Sequence, residues 1–572
     1  MARIQVSRRR QVYRRRLVIF VILPALIGIA CVSWSAMPGS LLDLSPALAT
    51  QAAAATAHAA SAANSSLPGA DITSPPVHTL WLPETLPPAL RSALTFPQGW
   101  APAVDGKTAS LRLDVVAGEP PAPSAIRWVY ALVAPFPTIT DDATLSEVQT
   151  IWQATQASGL PVQALLVDSA TRAVFEKLWG LAGELVRTLP AAQIIDAAWA
   201  EKDAWAIVPF EDLEPRWKVL AVDSQSPLRK EFDPLRYGLS VYFAPQGGDP
   251  QLRASLEASG PLAPDNRRAD RLATVVVTGV TALVRGTASL MENNGMDYPA
   301  RDIVGWLRDA DILHISNEVS FAKDCPAPFD WPTLTFCSRP KYIQLLETIG
   351  TDVVELTGDH LSDWGPDAVQ YTLQLYKGRG WKYYGGGSNS AEALQPALFE
   401  VNGNKIAFLG CNAKEPGYSK ADATTPGTIH CDMAAETAAV QNARAQGYQV
   451  IFTFQHEEYY SYEASPVLQP DFRAAADAGA VIVSGSQAHQ PHAFEFRGSG
   501  LLHYGLGNLF FDQVDEGDAP RTAFIDRHVF YGGKYISTEL LTIYFVDFAR
   551  SRPMTSEERQ ALLSAVFKAS GW

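Results

Sequence analysis

Between Thr274 and Asp512 a series of apolar, strand-length runs each stops abruptly on histidine, aspartate, glutamate or asparagine. This pattern constrains the fold more than any other feature of the chain. A continuous apolar run of this length fits a strand buried on both faces, and helix-like segments between such strands predict a parallel sheet covered by helices. In open α/β sheets the ligand crevice forms beyond the carboxyl ends of the strands, so polar residues at those ends are candidates for a site.

Five stations follow this rule. Thr278-Gly279-Val280-Thr281 leads to Arg285, which could hold an anion. Ile312–Asn317 is followed by Glu318, a candidate metal ligand. Val353-Val354-Glu355 runs into Gly358-Asp359-His360, in which neighbouring side chains diverge, so that one ligates while the other moves a proton. Asp363 could orient His360 or cap a helix. Val450–Gln455 ends on His456-Glu457-Glu458. Ala480–Ser484 is followed by Gln487, His489 and His492, and Leu502-His503-Tyr504 leads to Asn508. The order and placement of these residues together favour a site over a set of unrelated surface groups.

The rest of the chain sets the context. With 47% hydrophobic and 19% charged residues in 572, the sequence has material for two or three packed domains. A net charge of −14 and the absence of a basic, aromatic-interleaved patch beyond the N-terminus argue against a nucleic-acid partner. Six arginines between residues 8 and 16 precede the apolar run 17–36, which predicts a single membrane span with the basic end cytoplasmic and everything after it outside the cell membrane. A cleavable signal peptide would give the same compartment, and small residues near Ser33 could form its cleavage site. Residues 37–79, rich in Ala, Ser and Pro, read as a spacer. Cys325, Cys337, Cys411 and Cys431 permit two disulfides, with the local pairs 325–337 and 411–431 expected among three connectivities.

Residues 80–264 alternate strand and helix patterns, which predicts a smaller α/β domain on a mostly parallel sheet. The run from Asp203 to Asp223, with Tyr237–Phe243 after it, resembles the later part of a periplasmic substrate-binding-protein lobe. The polar stretch 263–271 separates this domain from a second one at 272–572.

The five stations together resemble the CapA family, named for poly-γ-glutamate capsule synthesis. The most specific stretches are GDHLSDWG, from Gly358, and YGLGNLFFDQ, from Tyr504. The resemblance implies a relative of calcineurin-type metallophosphoesterases: a four-layer α/β sandwich with metal at one sheet edge. Carried over residue by residue, it implies Glu318, Asp359, His456, Gln487 and His489 as metal ligands. His360 becomes the proton donor, with Arg285 and Asn508 in support. Two positions depart from the pattern: Val280 stands where the family has its first Asp, and Gln487 where it has a His. A Val side chain cannot bind a cation, so one divalent ion (Mn, Fe or Zn) is expected rather than two. The implied partners are a cell-envelope polymer or its precursor, the membrane through the N-terminal helix, and other capsule-synthesis proteins. The functional expectations are a hydrolase of such a polymer, then a non-catalytic polymer-binding or assembly factor with an eroded metal site, and last a solute-binding receptor in which the first domain dominates.

Overall fold

A computed structural model describes residues 78–572 apart from 118–124, 158, 160–161, 202, 329–333, 415–418 and 515–516. The expected membrane span at 17–36 and the spacer up to His78 lie outside the described residues. Among the described residues no helix is long and apolar enough to cross a membrane.

The structure is mixed α/β. Its first sheet has ten strands, all drawn from residues 78–246. The fully buried strands Ala164–Val167 and Ala204–Pro209 are parallel, as expected from their continuous apolar runs. The sheet as a whole is mixed rather than mostly parallel. The long strand Ile126–Pro135 runs antiparallel to Ser240–Gln246, Ala204–Pro209 and Trp217–Val222. Trp217–Val222 and Ser240–Gln246 pair with different stretches of Ile126–Pro135, and no helix lies between them in the chain. Two of its helices start on side-chain caps: Asp168 accepts from Thr171 N at 2.6 Å, and Thr144 and Glu147 form a reciprocal capping box.

Two larger sheets and a two-stranded one, Gly386–Gly387 with Gly427–Thr428, are built from residues 272–553. In one, Leu272–Thr278, Ile312–Asn317, Val353–Glu355 and Lys382–Tyr384 run parallel, and Thr522–Tyr531 joins antiparallel to Leu272–Thr278. In the other, Asn404–Asn412, Gln449–Gln455, Ile482–Ser484 and Gly500–His503 run parallel. Alternation along the strands explains how the sheets stack, because successive side chains point to opposite faces. Val275 and Val277 join Ile406, Phe408, Ile451 and Ile482 in one cluster between the sheets. The intervening Val276 packs with Leu307, Ile343 and Leu346 on the outer face. On the far side, Leu409, Val450 and Phe452 pack against Val440 and Phe472 of the helices Met433–Ala445 and Gln469–Asp477. The order is therefore helix, sheet, sheet, helix. Each aliphatic side chain fully buried in these layers contributes about 1.5–3 kcal/mol.

The ten-stranded sheet is fastened to this sandwich. Phe136 is buried, with its ring centroid 5.2 Å from Phe496, 5.7 Å from Phe494 and 6.0 Å from Trp572. Asp141 pairs with Arg559 at 2.8 Å, and Tyr531 donates to the Asn266 carbonyl at 2.7 Å.

Candidate metal and polymer site

The parallel strands of both sheets end at the same edge of the sandwich, so the polar residues that follow them meet. Close backbone approach makes this possible. A Cβ at Gly279 would lie 1.8 Å from the Gly507 carbonyl oxygen, and one at Gly358 would lie 2.7 Å from the Glu318 Cα. Only glycine allows the Leu272–Thr278 strand to press against the Gly507 turn, and the Asp359 loop to press against Glu318.

Glu318, Asp359 and His360 converge. One ligand atom from each lies within 4.8 Å of the others. Glu318 is 2% exposed, and its Oε2 has no hydrogen-bond partner. Burial pushes its carboxyl well above the usual carboxylate range, and the neighbouring Asp359 adds to the shift, while the charges of His360 and Lys414 oppose it. Burial alone would raise Asp359 too, but the charges of Lys414 and His360 and the hydrogen bonds from Lys414 and Glu318 hold it below its ordinary value. Gln455 Nε2 donates to Asp359 Oδ1 at 3.1 Å.

His360 Nδ1 lies 2.7 Å from Asp363 Oδ2, which also accepts from Phe336 N at 2.8 Å. Burial works against a charged imidazole here. The hydrogen bond to Asp363 and the surrounding carboxylates outweigh it and raise His360 to about 9. The ring is therefore an imidazolium at neutral pH, with Nδ1 committed to Asp363 and Nε2 left as the donor.

The other expected residues are placed differently. His489 donates through Nδ1 to Asn508 Oδ1 at 3.0 Å, and its Nε2 lies 3.8 Å from Glu458 Oε1. Asn508 thus orients His489, and it also donates to the carbonyls of His489 and Gln513. His456 Nε2 faces Asp471 at 3.2 Å and its Nδ1 accepts from Glu457 N at 3.1 Å, so both ring nitrogens are engaged away from Glu318. Gln487 is buried and donates to Ser316 Oγ at 2.6 Å, while its Oε1 has no partner. Arg285, at φ 44°, is held by Asp512 at 3.0 and 2.6 Å, with Gly286 N donating to the same carboxylate at 2.8 Å. Its guanidinium lies 5.2 Å from the Phe336 ring and 5.0 Å from the Phe511 ring. These two rings also pack on His360 and His489, with centroids at 4.5 and 5.4 Å. Arg285 therefore supports the walls of the site, and its charge is already answered by Asp512.

Residues 274–513 match the model of the family described as bacterial capsule synthesis protein PGA_cap. Over these residues the chain is CapA-like. Similar relatives are the capsule biosynthesis protein CapA of Bacillus anthracis, 22% identical over 258 residues, and the PGA biosynthesis protein CapA of Bacillus subtilis, 24% identical over 172. These matches cover 44% and 30% of this chain and 63% and 45% of the relatives, so the chain spans less than two thirds of either. Among solved structures, the 5'-nucleotidase precursor of Thermus thermophilus is 15% identical with a TM-score of 0.31, covering 51% of this chain and 58% of that one. The NAD nucleotidase NadN of Haemophilus influenzae is 11% identical with a TM-score of 0.30, covering 51% of this chain and 62% of that one.

In the CapA-like segment Glu318, Asp359 and His360 form a group that could hold a metal ion. Glu318 offers an unpaired buried oxygen and Asp359 stands within reach of it. Val280 is fully buried and offers no donor atom, and His456 is turned to Asp471.

Both expected disulfides are formed, Cys325–Cys337 and Cys411–Cys431. The first closes the loop that carries Phe336, and the second ties the end of the strand Asn404–Asn412. Two participants escaped the sequence reading. Lys414 places its Nζ 2.6 Å from Asp359 Oδ2 and 3.0 Å from Glu458 Oε1. Glu458 belongs to the His-Glu-Glu strand end, in which His456 is the more conspicuous metal donor. The strand-end rule itself could have found Lys414, two residues beyond the apolar strand that ends at Asn412.

Proposed function

We propose that this protein acts in the synthesis of a cell-surface capsule or poly-γ-glutamate polymer, as a hydrolase of that polymer or its precursor that uses one divalent metal ion. The observation that carries the reading is the meeting of Glu318, Asp359 and His360 at the strand ends of the CapA-like segment. Glu318 and Asp359 would hold the ion, which when bound would polarise a phosphoryl or carbonyl oxygen of the substrate. The imidazolium of His360, fixed by Asp363 at 2.7 Å, presents Nε2 to protonate the leaving group. Lys414, 21% exposed at its side chain, gives an anionic substrate group a positive neighbour. The helix–sheet–sheet–helix order supports a metallophosphoesterase-type sandwich. The basic cluster and apolar run at 8–36 support a membrane anchor, and two disulfides support a position outside the cytoplasm.

Elemental analysis of the purified protein beside Glu318→Gln tests this. About one equivalent of Mn, Fe or Zn, lost in the variant, supports the reading and directs a screen of phosphoester and γ-glutamyl amide substrates. A wild-type protein that takes up no metal after incubation with manganese and zinc refutes it. That result would favour the second reading, a non-catalytic polymer-binding or assembly factor, for which Val280 and the His456–Asp471 pair are the specific support.

A further inference from the structure

The carboxylates at the strand ends are neutralised from within the chain. Lys414 spans Asp359 and Glu458 at 2.6 and 3.0 Å, and Glu458 lies beside His489 Nε2 at 3.8 Å. We propose that the Lys414 ammonium is a built-in cation that takes the place of one metal ion of a pair, so that the site accepts a single divalent ion only. The inference deepens the single-ion reading above and rests on it, by naming the residue that excludes the second ion.

A mobile surface lysine that happens to meet an acid is the ordinary alternative, and the surroundings of Lys414 argue against it. Its backbone N donates to Asn412 Oδ1 at 2.8 Å, and Asn412 Nδ2 donates to the Thr357 carbonyl at 2.8 Å. That second bond ties the lysine's loop to the strand end that carries Asp359. The Cys411–Cys431 disulfide anchors the same segment one residue before Asn412. The side chain is mostly buried, so its position is set by these supports and by its two carboxylate partners.

The charge count agrees. With Val280 in place of an acid, this corner offers the carboxylates of Asp359 and Glu458 beside the His489 imidazole. An ammonium has three donors and needs no coordination geometry, so it satisfies two carboxylates where the donor set for a metal ion is incomplete. A metal ion bound to Asp359 Oδ2 would stand within a few ångströms of the ammonium, and like charges at that distance oppose each other strongly in a buried site.

Isothermal titration of chelator-treated protein with manganese chloride alone tests this, on the wild type, Lys414→Met and the charge-retaining Lys414→Arg. Circular dichroism and thermal melting establish that each is folded, and Lys414→Gln replaces the methionine variant if that one does not fold. We expect about one equivalent for wild type and Lys414→Arg, and for Lys414→Met either a further equivalent or at least about tenfold tighter uptake. A folded Lys414→Met protein with wild-type stoichiometry and affinity overturns the inference and leaves the single-ion reading standing. Uptake by Lys414→Met but not by wild type overturns the single-ion reading and, with it, the inference that the wild-type site accepts one ion. Two equivalents in the wild type overturn both.

Discussion

Removing the charge of Asp363 tests the electrostatics that make His360 an acid. His360 Nδ1 and Asp363 Oδ2 are 2.7 Å apart, and the histidine rises from an ordinary 6.5 to about 9 although burial opposes its charge. A raised folded-state pKa stabilises the fold fully below the unfolded value of about 6.5, and that stability is lost as pH rises through about 9. The full shift corresponds to about 3 kcal/mol. The hydrogen bond to Asp363 and the charges of Glu318 and Asp359 share this shift, and solvent at the partly exposed ring screens them, so about 2 kcal/mol is the sounder expectation. Asp363→Asn keeps the shape and an acceptor oxygen but removes the charge, and should destabilise the protein at pH 6 by about 1.5 kcal/mol. Urea denaturation from about pH 6 to pH 10 gives the comparison, with His360→Gln as the reference that cannot titrate there. The wild-type advantage over His360→Gln should shrink by about 2 kcal/mol across that range, and most of this change should vanish in Asp363→Asn. Parallel curves for wild type and His360→Gln would refute the argument.

Two other outcomes follow from the geometry. Phe136→Ala empties a buried ring position between the ten-stranded sheet and the Phe494–Phe496–Trp572 cluster. It should cost about 3–4 kcal/mol in urea denaturation and split a single transition into two as the ten-stranded sheet loosens from the sandwich. Gln487→His and Val280→Asp, combined with Lys414→Met, restore the donors that the CapA pattern carries and remove the ammonium that opposes a second ion, and should raise manganese uptake by elemental analysis above that of the wild type, at a stability cost of a few kcal/mol for the buried carboxylate.

The stacking of the CapA-like segment was legible because its strands are uninterrupted apolar runs. Val275-Val276-Val277 serves two cores at once, and such a run fits only a strand covered on both faces. The meeting of Glu318, Asp359 and His360 was legible for the same reason, since each directly follows or lies close beyond a strand of the same orientation. Where side chains turn after the strand ends was not. His456 finds Asp471 on the helix Gln469–Asp477, and no local pattern announces that pairing. Lys414 lies two residues beyond a strand end, where the strand-end rule points, but a pattern of metal donors does not include a cation. In the first sheet, the buried strand Ile126–Pro135 carries an apolar run that suits either direction of pairing, so its antiparallel neighbours had to be seen.

The two disulfides make the site sensitive to the chemistry of its surroundings at a distance from any reacting atom. Cys411–Cys431 stands behind Asn412 and Lys414, and Cys325–Cys337 stands beside Phe336, the ring against His360. Each closes a loop short enough to contribute about 3 kcal/mol by restricting the unfolded chain. In a reducing host both loops would be released while the core between the two sheets, to which no cysteine contributes, stays packed. Protein recovered from such a host would look folded by its secondary structure yet carry slack loops around Lys414 and Phe336. The redox history of a preparation is therefore a variable to control before an inactive sample is read as a non-enzyme.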